Sequence, residues 1–394
     1  MADTDSQLPA AMAHLADLIA FDTVSRNSNL PLIDHVEAHL ARLGGVATRL
    51  PDKTGTKANL VVRFGPEDAP GIVLSGHTDV VPARTGNWTT PPFEAVERDG
   101  RIYGRGTCDM KGFLACLMAM AETLDATTLA RPLYLCFSHD EEVGCLGAPA
   151  IARHLKALPH PPDLAIIGEP SGMALVTGQK GKIAVRATVT GAGGHSSFAP
   201  EHVNAVAWAA RAIAMIDDRA RSYVEDGPFD PDFTVPHATC LATMIEGGVA
   251  TNVTPDSCDF TFELRSIDEA AARADLEALQ TRIRDTLEPA MQAIHPGTGI
   301  AFETLFSYPA MGDATGTPGF ERLRPLLPPF GGKVSYGSEG GVFEIEGGIP
   351  AIIVGPGSIA QAHKADEYVE IDQLALCLAF LERLIAAASN GARA

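Results

Sequence analysis

The sequence predicts an α/β protein in two parts: a doubly wound domain with a central mixed sheet, and a ferredoxin-like α/β sandwich inserted into it. Three observations carry this. Five short apolar runs, Leu60–Phe64, Gly71–Ser75, Leu133–Phe137, Leu164–Ile167 and Ala351–Val354, hold few or no charges. Runs of that length and composition suit strands covered on both faces. Between two of them, Met110–Leu124 is rich in Ala, Met and Leu and reads as a helix. From residue 183 to 305 the pattern changes to strand–helix–strand–strand–helix–strand, the order of a ferredoxin-like sandwich.

Taken in order, residues 8–45 carry apolar positions three and four apart, interrupted around Ser25–Pro31, so two helices are expected. The apolar runs and the 110–124 helix follow. In Lys182–Thr190 the residues Ile183, Val185, Ala187 and Val189 alternate with Lys182, Arg186 and Thr188, which predicts a half-exposed strand. Asn204–Ile216 reads as a helix. His237–Glu246 and Ser257–Ser266 read as strands joined by the turn-rich Gly247–Asp256, a helix runs from Ile267 to about Pro289, and Gly299–Leu305 closes the insert. The outer domain is thus expected over 1–182 and 306–394, with 183–305 inserted. A length of 394 residues accommodates this, at about 100–200 residues per domain.

Composition narrows the function. The chain is 46% hydrophobic and 20% charged, with 30 Lys plus Arg against 49 Asp plus Glu, a net charge of −19. A body that acidic repels phosphate backbones and anionic bilayers, so neither nucleic acid nor membrane is an expected partner. No apolar stretch reaches the roughly 18 residues of a membrane helix. Met1-Ala2-Asp3-Thr4-Asp5 is acidic and the first Lys or Arg is Arg26, so no signal peptide reads there. The seven cysteines are odd in number and form no CxxC, which fits buried, reduced thiols in a cytoplasmic protein.

In open α/β sheets, functional groups gather beyond the carboxyl ends of the strands. There the chain places His77-Thr78-Asp79, Ser138-His139-Asp140-Glu141-Glu142, Gly168-Glu169-Pro170 and a glycine-rich loop ending in His363, while Asp109 precedes the 110–124 helix. Alone, an HxD is a weak signal, a Glu-Glu pair is a solvated turn and Asp109 is a helix cap. Together they converge on one rim. Imidazole and carboxylate without cysteine fit a hydrolytic zinc, cobalt or manganese site, and two histidines with three carboxylates suffice for two metals sharing a carboxylate. The Asp79 carboxylate is placed to accept the second ring N–H of His77. One of Glu141 and Glu142 can bind metal while the other moves a proton. The remaining histidines (14, 35, 39, 139, 154, 160, 202, 237 and 295) read as surface or structural residues, His139 being a candidate to support the site. Gly104-Arg105-Gly106 lacks the third glycine of a dinucleotide fingerprint.

Four segments then occur in a telling order: Gly76-His77-Thr78-Asp79-Val80-Val81-Pro82, Gly104 through Gly112, Asp140-Glu141-Glu142 and Gly168-Glu169-Pro170. With them the sequence resembles, over nearly its whole length, the metallopeptidase family of acetylornithine deacetylase, succinyl-diaminopimelate desuccinylase and carboxypeptidase G. The tail from Gly355 to His363 with Asp366-Glu367-Tyr368 is most similar to the acetylornithine deacetylase branch. The resemblance implies two divalent metals, zinc or cobalt, bridged by Asp109. His77 and Glu169 would complete one site, and Glu142 and His363 the other. Glu141 would be the general base, Asp79 would orient His77, and the Asp109–Met110 peptide would be cis. His195 would stabilise an oxyanion from across a homodimer formed through the inserted domain. Arg265 would clamp a substrate carboxylate, Asn252 would approach substrate, and Glu339 would lie near a substrate ammonium. The implied substrate is a small N-acyl amino acid, N²-acetyl-L-ornithine in arginine biosynthesis, with acetylcitrulline, succinyl-diaminopimelate or a dipeptide left open.

Overall fold

A computed structural model describes residues 4–83 and 87–389. The acidic start, Met1–Asp3, lies outside them. By internal contacts the chain divides into two compact units, one of residues 1–178, 311–333 and 338–394, the other of residues 179–310 and 334–337.

The first unit opens with helices α1 (Thr4–Ala20) and α2 (Leu30–Arg42). Asn29 separates them because its side chain serves the Ala58 backbone, donating to the carbonyl and accepting from the N–H. Strands β1 (Val46–Pro51), β2 (Ala58–Phe64) and β3 (Ile72–His77) follow, then a short pair β4 (Val96–Arg98) and β5 (Arg101–Tyr103). Helix α3 (Gly112–Thr123) is apolar all round and almost wholly buried, as a helix with neighbours on every side must be. Strands β6 (Leu133–Ser138) and β7 (Leu164–Ile167) flank helix α4 (Ala148–Lys156).

The second unit contains β8 (Gly181–Thr190), β9 (Gly194–His195), helix α5 (Ala205–Asp226), β10 (Thr239–Gly247), β11 (Val253–Thr254), β12 (Ser257–Ser266), helix α6 (Glu269–Ile294) and β13 (Gly299–Tyr308). Its antiparallel sheet has the order β10-β12-β8-β13, the ferredoxin-like arrangement. Ile183, Val185, Ala187 and Val189 of β8 face a core built with Phe260 and Phe262 from β12, Trp208 and Ile216 from α5, and Ile283 and Met291 from α6. Asn204 and Asp268 cap the two helices through their side chains. Two helices run past their expected ends. Helix α5 continues to Asp226 because Tyr223 and Arg219 both bond Asp275 of α6, at 3.0 and 2.8 Å. Helix α6 passes Pro289 because Leu287 and Met291 on either side of it are buried. The unit also exceeds the expected 183–305: Gln179 pairs with Val334, and Gly337 approaches the Tyr308 ring more closely than a side chain would allow.

Returning to the first unit, the chain forms β14 (Ala351–Ile353), β15 (Tyr368–Glu370) and a final helix, Ile371–Ser389. The large sheet is β1-β2-β6-β3-β7-β14. Strands β6, β3, β7 and β14 are parallel while β1 and β2 are antiparallel, so the sheet is mixed. One face packs on α1, α2, α3 and the final helix in a single apolar cluster. The opposite face receives α4 through Ile151, Ala152 and Leu155. All seven cysteines are buried and unpaired by disulfides. Among the described residues, no helix is long and apolar enough to cross a membrane.

Candidate metal centre

Parallel alignment of β6, β3, β7 and β14 brings four carboxyl ends to one edge, and the loops leaving them carry the predicted ligands. His77 ends β3 with no exposure at all. Glu169 follows β7 after Gly168, where a Cβ would stand 2.0 Å from the Phe113 ring, so only glycine lets the loop cross α3. Glu141 and Glu142 follow β6 beyond Asp140, which turns the chain with φ +56°. His363 follows β14 with φ +61° and a side chain 54% exposed. Asp109 stands just before α3, and its peptide bond to Met110 is cis.

The side chains meet around Asp109. Its Oδ1 lies 3.0 Å from His77 Nε2, and its Oδ2 lies 3.3 Å from His363 Nε2. His77 Nε2 is 3.7 Å from Glu169 Oε1, while His363 Nε2 is 3.0 Å from Glu142 Oε2. Asp109 therefore turns one oxygen toward each histidine–glutamate pair, the arrangement of a bridging carboxylate. Two donors sharing one cation at about 2.0–2.2 Å in tetrahedral geometry sit roughly 3.3–3.6 Å apart, and the observed separations bracket that range. The His77 tautomer suits a ligand: Nδ1–H donates to the Asp79 main-chain carbonyl at 2.9 Å, leaving Nε2 its lone pair.

Charge gives a second test of fit. Burial pushes the Glu141 carboxyl well above the usual carboxylate range, with Glu142, Asp109 and Asp79 adding to the rise. Burial and then Asp109 likewise raise Glu169 and Glu142. His363, hydrogen-bonded to Asp109 and Glu142, is raised to about 10. Burial disfavours a charged His77, yet the Asp109 hydrogen bond and the Glu169 charge hold it well above its ordinary value. Four acidic groups crowd two imidazoles, a deficit of positive charge that divalent cations fill. The residues thus fit two metals.

Asp79 works differently from expectation. Its carboxylate is 3.7 Å from His77 Nδ1, beyond hydrogen-bond reach, because the main-chain carbonyl takes that proton. The carboxylate instead accepts from the Glu141 N–H (3.0 Å), the Glu142 N–H (3.3 Å) and Ser25 Oγ (2.7 Å). It clamps the turn that presents both glutamates. The Glu141 carboxylate accepts from the Cys145 thiol at 3.4 Å. His139 bonds Asp140, which also pairs with Lys57. Glu339, expected near a substrate ammonium, is 1% exposed and accepts from Ser75 Oγ at 3.0 Å, so it lies beneath the site rather than on its wall.

Sequence reasoning missed Glu367 as a working residue. It is buried, paired with Arg105, and its Oε1 accepts from the N–H groups of Cys108 (3.0 Å) and Asp109 (3.1 Å). Burial, followed by repulsion from Asp109, raises it to about 7. Its only sequence signal was its place in Asp366-Glu367-Tyr368.

In the second unit, β9 and β11 form a two-stranded ladder carrying His195. His195 is exposed, and its Nδ1 accepts from the Ser197 N–H at 3.3 Å, which places the ring proton on Nε2. Asn252 is exposed beside it, its carbonyl accepting from the Ser196 N–H at 3.0 Å. Arg265 is half-buried, with Nε on Glu263 (2.8 Å) and Nη1 on Tyr308 (3.2 Å) and the Ser335 carbonyl (3.4 Å), so part of its fork is already engaged.

This fold and donor set fit a metal-dependent hydrolase. Residues 73–308 match the model of peptidase family M20/M25/M40, and the chain belongs to that family. Among similar proteins, an acetylornithine deacetylase of Myxococcus xanthus is 34% identical over 98% of both chains. One of Pasteurella multocida is 30% identical over 96% of this chain and 98% of its own. Two solved structures share the fold. Aminopeptidase PepT of Bacillus cereus has TM-score 0.73 and 20% identity over 97% of this chain and 98% of its own. The Bacillus subtilis YXEP protein, described as a dinuclear metal binding peptidase of the M20 family, has TM-score 0.69 and 14% identity over 98% of each chain.

Proposed function

We propose that the protein removes the acetyl group from N²-acetyl-L-ornithine, giving L-ornithine and acetate in arginine biosynthesis. The observation that carries this is the arrangement around Asp109: two histidine–glutamate pairs share it, and Glu141 offers a carboxylate oxygen within 4.8 Å of the His77 and Glu169 donors. The deacetylases of Myxococcus xanthus and Pasteurella multocida supply the substrate class. His77 and Glu169 would hold one cation and His363 and Glu142 the other, with Asp109 offering one oxygen to each pair. Bound there, two divalent cations, zinc or alternatively cobalt, supply a polarised acyl carbonyl and an acidified water.

Glu141, whose proton affinity burial raises, takes a proton from the attacking water and returns it to the leaving nitrogen. His195 donates its Nε2–H to the developing oxyanion in the partner subunit's site. Arg265 receives the substrate carboxylate and Asn252 approaches the substrate beside His195. The enzyme acts as a homodimer through the inserted unit, whose edge strand β10 exposes Leu241, Met244 and Ile245. Its seven reduced thiols suit the cytoplasm.

The test is a deacylation assay on acetylornithine, acetylcitrulline, acetylmethionine and succinyl-diaminopimelate, with zinc or cobalt returned after EDTA. Acetylornithine is expected to give the highest kcat/KM. A higher value for another substrate moves the assignment to that N-acyl amino acid, and full turnover in metal-free protein overturns the mechanism.

A further inference from the structure

A second group of metal-ligating side chains lies in the helical layer of the first unit. His14 on α1, His39 in the last turn of α2 and Glu122 in the last turn of α3 each offer a donor atom, all within 4.8 Å of one another. His14 Nε2 is 2.8 Å and His39 Nε2 3.5 Å from Glu122 Oε1, and the two rings meet edge to face with centroids 4.6 Å apart. Donors sharing one zinc ion at about 2.0–2.1 Å stand roughly 3.3–3.4 Å apart.

Each ring keeps one nitrogen that the protein does not satisfy. His14 Nδ1 and His39 Nε2 are both buried and have no hydrogen-bond partner, an arrangement folded proteins avoid. Burial, with the neighbouring His14, depresses the His39 pKa, so a ring lone pair is available at neutral pH; Glu122 and a backbone hydrogen bond at Met118 oppose this and Arg42 reinforces it. Helices α2 and α3 both end here, and helix carboxyl ends favour positive charge. Arg42 Nη2 lies 3.4 Å from His39 Nδ1. Arg42 is exposed and free to swing away when that nitrogen takes the ring proton.

We propose that His14, His39 and Glu122 bind a divalent transition-metal ion of the zinc type, with water completing a tetrahedral shell, as a structural site that ties α1 to α2 and α3. Two imidazoles and one carboxylate match the donor preference of zinc rather than magnesium or calcium. The site shares no ligand with the Asp109 centre and is independent of the proposed reaction.

Equilibrium dialysis against zinc, with metal counted by plasma emission, tests it on the full chain. The wild type is expected to hold one more equivalent than His39→Gln and than Glu122→Gln, with deacylase turnover unchanged in both variants. Because the difference is what is counted, the result does not depend on how many ions the Asp109 centre takes. Crystals of the wild type grown with zinc and measured at the zinc edge supply an arm that needs no variant. An anomalous peak between the three side chains supports the site. Equal zinc content in wild type and variants, or no peak there, overturns it.

Discussion

Asp79 spends its carboxylate on the backbone of Glu141 and Glu142, and its carbonyl on His77. Asp79→Ala should therefore leave the His77 tautomer intact while loosening both glutamates. We expect kcat to fall about 10–100-fold, a typical loss for a supporting carboxylate, with metal content near normal by metal analysis; wild-type kcat would refute the clamp. Glu141→Gln retains size but cannot accept a proton. Turnover should drop about 10²–10⁴-fold with both metals retained, and near-normal rates would remove Glu141 from the reaction. His77, Glu142, Glu169 and His363 were legible at this scale because each follows an apolar run whose end the sequence marks, and Asp109 because it precedes an apolar helix. Glu367 was not, since one glutamate in a loop gives no hint that it will meet the Cys108 and Asp109 amides. Nor did the sequence reveal that His14 and His39, on two different helices, face one glutamate on a third.

Elements position these residues, and one close approach matters most. A side chain at Gly168 would overlap Phe113 of α3. Gly168→Ala is expected to destabilise the protein by about 1–3 kcal/mol and to lower activity by moving Glu169. Urea denaturation checks the first effect, and adding Phe113→Leu should recover part of it. Unchanged stability would mean the loop has room that the geometry denies. The strands β3, β6, β7 and β14 were readable because burial on both faces leaves an uninterrupted apolar run. Strand β1 was not: it is an edge strand with mostly exposed or half-buried residues, Val46 to Pro51, and shows no such run. Strands β4, β5 and β15 have three residues each, too few for any period to register. In the insert, alternation along β8 survives as alternating burial. The end of α5 was hidden because the Asp217-Asp218 pair interrupts the apolar stripe before Tyr223 restores it.

The whole chain divides its labour between two units. His77, Asp109, Glu142, Glu169 and His363 all belong to the first. Chelation should therefore lower the midpoint of that unit's unfolding. At metal a hundredfold above Kd the lost stabilisation is about 2.7 kcal/mol, a shift of several degrees by calorimetry; identical traces with and without EDTA would argue against the site. The second unit should respond to pH instead. Lys180 is 1% exposed, its Nζ donating to the His237 carbonyl at 2.5 Å. Burial, with Arg265 nearby, lowers its pKa from 10.5 to about 8. Between those values the unfolded chain holds the proton and the folded chain has shed it, so stability should rise with pH across that window. Lys180→Met should flatten the rise in urea midpoints between pH 8 and 10.5, and an equal slope in both proteins would discount the lysine.

His363 and Glu367 stand beyond the insert, whereas His77, Asp109, Glu142 and Glu169 precede it. A ribosome that has translated through β13 has already released His77, Asp109, Glu141, Glu142 and Glu169, but neither the histidine that faces Asp109 Oδ2 nor the glutamate that fastens the Asp109 amide. The acidic half of the centre thus emerges first and waits for its closing residues. The centre is therefore complete only once the segment beyond the insert has joined it.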